Sequence, residues 1–72
     1  MKHFKAMKTV KRGTSTTLVQ LNSVPPVTIL TVAHVELNYE QFLTIRDRKE
    51  AEAIVEVMTS YLQDLNGQTS VL

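Results

Sequence analysis

The groups in this 72-residue chain that could carry chemistry are two histidines, seven carboxylates and a set of Ser and Thr hydroxyls; cysteine is absent. His34 and Glu36 form the one suggestive pair. On a strand, residues two apart project from the same face, so an imidazole and a carboxylate there could share a proton or hold a metal. Two ligands are too few for a metal site, and a His-x-Glu deaminase centre needs downstream cysteines that this chain lacks. His3 stands in a basic N-terminal segment without a supporting motif, so no Ser or Thr has an oriented base beside it. A satisfied or solvent-facing histidine is the simpler reading of His34. The acids Glu50, Glu52, Glu56 and Asp64 fall in a helical pattern whose capping and solubility already explain them. Gly13 and Gly67, the only glycines, are too far apart for a phosphate loop. The residues therefore point away from an enzyme and call for no metal or cofactor.

The composition is that of a folded domain, at 43% hydrophobic and 21% charged. Absence of cysteine removes disulfides and thiolate metal sites as staples. A chain this short buries only about 60% of the surface that its unfolded form exposes. Oligomerisation is the remaining support, and a homodimer is expected. No apolar run approaches the roughly 18 residues of a membrane span, and no signal-peptide core follows the basic start. The expectation is a cytoplasmic protein without a membrane partner.

Charge is divided unevenly. The first 35 residues carry Lys2, Lys5, Lys8, Lys11 and Arg12 with no acid, a net +5, and the remainder carries −4. A basic arm over residues 1–12 could contact nucleic acid or neutralise the acidic half of its own or a partner chain. Arg46, Arg48 and Lys49, with Phe4 and Tyr39, extend that possibility, and Phe42 reads as core.

The elements that must position these groups follow from patterning. Ala51, Ile54, Val55, Met58, Leu62 and Leu65 recur on one helical face, which predicts a helix over 47–66 with Met58 on a buried stripe. Asp47 is a suitable N-cap with Glu50 three residues on. Asn66-Gly67 supplies a stop, leaving 67–72 as a tail. The β-branched stretch 27–37 after Pro25-Pro26 reads as a strand. Flanking segments 14–22 and 41–46 complete about three strands within residues 13–46, joined by links at 22–26 and 38–40. Residues 3–10 fit a strand or a helix equally well. The expected fold is thus a single α+β domain, β-β-β-α, with a small antiparallel sheet backed by one C-terminal helix. In the central strand Val27, Ile29, Ala33 and Val35 face one way, Leu30 and Val32 the other. One helix covers only one face, which assigns Leu30 and Val32 to a dimer interface.

A chain of this length and order, with Pro-Pro before the central strand and the stretch Ile45-Arg46-Asp47-Arg48-Lys49-Glu50-Ala51-Glu52-Ala53 opening its helix, resembles the YopT-like family of Bacillus prophages. The resemblance covers the whole chain and implies a homodimer of three-stranded, one-helix subunits. It implies no activity, and no site residues carry over. In architecture the chain also looks like single-strand DNA-binding transcriptional coactivators of the PC-four type, which requires residues 3–10 to supply a fourth strand. The function expected from these readings is that of a prophage-type accessory or regulatory protein, a homodimer that contacts a host or phage protein. Nucleic-acid binding through Lys2, Lys5, Lys8, Lys11 and Arg12 is the alternative.

Overall fold

The computed structural model describes residues 2–70, with side chains through residue 68. Four strands are followed by one helix: β1 (Phe4–Arg12), β2 (Ser15–Val24), β3 (Val27–His34), β4 (Tyr39–Ile45) and α1 (Arg48–Ser70). The strands form one antiparallel sheet in sequence order. The α+β class stands, and the count of about three strands is corrected to four. Residues 4–12 join the sheet because β2 offers a full ladder, from Phe4 opposite Ser23 to Arg12 opposite Ser15. A strand edge with free N–H and C=O groups determines what local periodicity left open.

Short turns set the register. Gly13 and Thr14 form the first tip, with Gly13 at φ 60, a conformation that needs no Cβ. The second tip is Pro25-Pro26 alone, joined by a cis peptide bond, with Val24 opposite Val27, so the expected link over 22–26 shortens to two residues. The third spans residues 35–38 and ends at Asn38, φ 51. It is closed by the Asn38 N–H donating to the Val35 carbonyl at 3.1 Å. The expected hairpin at 38–40 therefore moves towards the N-terminus, and β4 starts at Tyr39.

The register divides side chains between two faces. On one, Ala6, Leu21, Leu30 and Leu43 form a row across all four strands, with Val19 and Val32 beside it. The other mixes Met7, Leu18, Ile29 and Phe42 with Lys, Thr, Asn and Gln residues. Phe42 is 66% exposed and is not core.

The helix departs furthest from expectation. Asp47 caps it, accepting from the Glu50 N–H at 3.0 Å, while Glu50 accepts from the Arg46 N–H at 2.8 Å. It then runs through Asn66-Gly67 to Ser70, so the stop and the 67–72 tail are corrected for residues 67–70; residues 71 and 72 lie outside the described residues. A Gly in a helix interior costs about 1 kcal/mol, too little to end a helix that continues on both sides. Gln68 bonds Asp64 across that turn at 2.8 Å. No strand packs along the helix, so it does not back the sheet. Thr28, Ile45 and Ala51 line one small hollow, which places the helix start at a corner of the Leu30 face. Val27, Ile29 and Ala33, expected beneath the helix, receive no cover from it. Ile45 is the one buried hydrophobic among the described residues.

Candidate interaction surface

The groups with potential chemistry are placed as structural contacts. His34 ends β3, with its Nδ1 3.4 Å from Thr17 Oγ1 and its ring stacked on Tyr39 at 6.1 Å. Glu36 stands in the turn, off the strand, and does not share a site with His34. Its Oε1 accepts the Thr16 N–H at 2.6 Å, and that bond holds its carboxyl below the ordinary carboxylate range. Among the described residues, no three His, Asp or Glu side chains gather as a metal would require.

The five cations of the first segment are dispersed. In β1 the side chains alternate, so Lys8 and Arg12 stand on the Leu30 face and Lys5 and Lys11 on the opposite one. Lys2 precedes the strand and is exposed. None of the five forms an ion pair with a described residue. The ion pairs present are at the helix start, Arg46 with Glu50 at 3.2 Å and Arg48 with Glu52 at 2.8 Å. Those carboxylates account for two of the cations that were candidate phosphate contacts. Lysines along an edge strand also have a structural use, since they oppose strand addition by another sheet.

The apolar surface is the dominant feature. Leu30 and Val32 are half-buried at the centre of a face that no element of the same chain covers. Shallow grooves run on either side of Leu30, one lined by Ala6, Val19 and Leu21, the other by Val32 and Leu43. On α1 the stripe expected to be buried is open: Val55 is 64% exposed, Met58 50% and Leu62 54%. Periodicity reveals that such a stripe exists; what covers it depends on where the chain leaves β4. That exit is fixed locally, because only Arg46 and Asp47 separate strand from helix and both are tied to Glu50.

The whole chain exposes 6363 Å². A compact monomer of its 8.1 kDa mass exposes about 4,500 Å². Its radius of gyration is 14.8 Å, against about 11 Å for a compact domain of this length. No protein-family model, curated protein or solved structure matches the chain. Among the described residues, no helix is long and apolar enough to cross a membrane.

Proposed function

We propose that this protein is a small accessory or regulatory protein of the prophage type that acts as a homodimer through protein–protein contacts, Leu30 and Val32 lying in the subunit interface. The observation that carries this reading is the uncovered apolar surface, a sheet face and a helix stripe, with Ile45 the one buried hydrophobic among the described residues. The surplus over a compact monomer is about 1,900 Å² per chain. Two chains would together remove roughly 3,700 Å², inside the range of about 2,000–5,000 Å² typical of obligate homodimers. The YopT-like resemblance implies a homodimer as well, of three-stranded subunits where this chain has four strands. Once paired, the protein would meet a host or phage partner through the surfaces left outside, the acidic flank of α1 and the polar sheet face. Sedimentation equilibrium across a range of concentrations tests the dimer. A mass of twice the chain supports it, and a folded monomer at every concentration rejects it.

A second reading, nucleic-acid binding, is favoured by the cations of β1, none of which forms an ion pair within hydrogen-bonding reach of a described residue. That strand also supplies the fourth sheet strand that the likeness to PC-four-type coactivators requires, although a fold by itself carries no activity. Anisotropy of labelled single- and double-stranded oligonucleotides at about 50 and 200 mM salt decides this case. Binding that falls with salt and with removal of residues 1–12 supports it, and no binding at the lower salt removes it.

A further inference from the structure

The dimer reading leaves open which surface meets which, and the inference here rests on that reading. Two apolar surfaces stand open on one chain: the Leu30 face of the sheet, and the α1 stripe around Val55, Met58 and Leu62. We propose that the occupant of the Leu30 face is α1 of a second copy, and that the exchange is reciprocal, each helix lying across the partner's sheet.

Dimensions fit. The stripe from Ala51 to Leu65 is about 21 Å long. Four strands about 4.8 Å apart make a platform that such a length crosses completely. Its spacing of four and three residues would also suit pairing of the two helices with each other. That arrangement would leave the row Ala6, Leu21, Leu30 and Leu43 bare on both copies. Laid on the sheet, the helix instead covers that row and keeps Glu56 and Asp64, which lie opposite its apolar stripe, on the outside. A helix exit fixed by Arg46, Asp47 and Glu50 favours a second copy over the same chain, because the helix cannot turn back onto its own sheet without breaking the cap. A single two-fold contact then covers both surfaces twice.

The absence of cysteine makes the test direct. Leu43→Cys and Met58→Cys chains are prepared separately, unfolded together, refolded as an equal mixture and oxidised. Their different masses identify each linked species. The expected result is a mixed Leu43→Cys to Met58→Cys disulfide in about tenfold excess over either self-linked species, because only facing side chains reach disulfide geometry. Self-linked Met58→Cys as the main product of a dimeric sample overturns the exchange in favour of helix pairing. Self-linked Leu43→Cys overturns it in favour of face-to-face sheets, and both results leave the homodimer reading intact. A monomeric mass for the unmodified chain overturns that reading and the exchange with it. Gln41→Cys with Tyr61→Cys, at more exposed positions, repeats the measurement should the first pair fail to refold.

Discussion

The two interior strands, β2 and β3, are hydrogen-bonded on both sides by other strands. Side-chain bonds of α1 such as Glu50 to Asp47, Arg48 to Glu52 and Gln68 to Asp64 join residues three or four apart. One region is therefore held by other strands, and the other, beyond its start at Ala51 beside Ile45, by bonds along its own length. Most helical stability in proteins comes from burying an amphipathic face, which α1 does not do against its own sheet. The contrast teaches that an element with a strong local signal can still depend on a surface outside its own chain.

Breaking the proposed interface should have the largest effect. Leu30→Lys places a charge at the centre of the apolar face, with an expected loss of more than about 3 kcal/mol. Sedimentation should then give monomer or unfolded chain, and a wild-type dimer would remove Leu30 from the interface. Gly13→Ala acts on the sheet alone. An alanine forced to the left-handed conformation costs about 1–2 kcal/mol, although its Cβ would meet open space. Denaturant unfolding reads the loss, and an unchanged midpoint would show that the turn relaxes. Asp47→Ala acts on the helix, removing its cap at a cost of about 1 kcal/mol. That change should lower helical circular dichroism while leaving any binding activity in place.

The smallest effect is expected from Glu36→Gln. With its carboxyl held below the ordinary range by the Thr16 N–H, Glu36 contributes stability above the unfolded-state pKa and loses it as pH falls through the lower folded value. The stability gap between wild type and Glu36→Gln should therefore exist at neutral pH and narrow as the solution is acidified below the ordinary carboxylate range. A gap that stays constant would assign the bond's value to shape and not to charge.

Legibility in the sequence followed the same division. The start of the helix and its Asp47 cap were readable because both depend on residues within one turn. Strand β1 was ambiguous because Lys8 interrupts the alternation of Phe4, Ala6 and Val10 while Phe4, Met7 and Val10 also fit a helical spacing, and its identity comes from pairing with β2. The tolerance of Asn38 for a turn was readable, but not that it closes the turn and does not open it. Exposure of Met58 and Phe42 was not readable, because a side chain's pattern tells that it needs cover and not where cover lies. That Leu30 and Val32 share an apolar face was readable by counting faces, an argument that does not depend on strand number. The separation of Glu36 from His34 was missed because it follows from the position of the turn.

The strand order itself bears on how the protein forms. Every strand pairs with its neighbour in sequence across tips of two to four residues, so the sheet closes only short loops and belongs to the fast-folding, low-contact-order class. Within a reciprocal dimer, assembly then separates into two kinetic events. A unimolecular zippering of hairpins should be indifferent to concentration, and a slower encounter of preformed sheets should accelerate as the protein is concentrated.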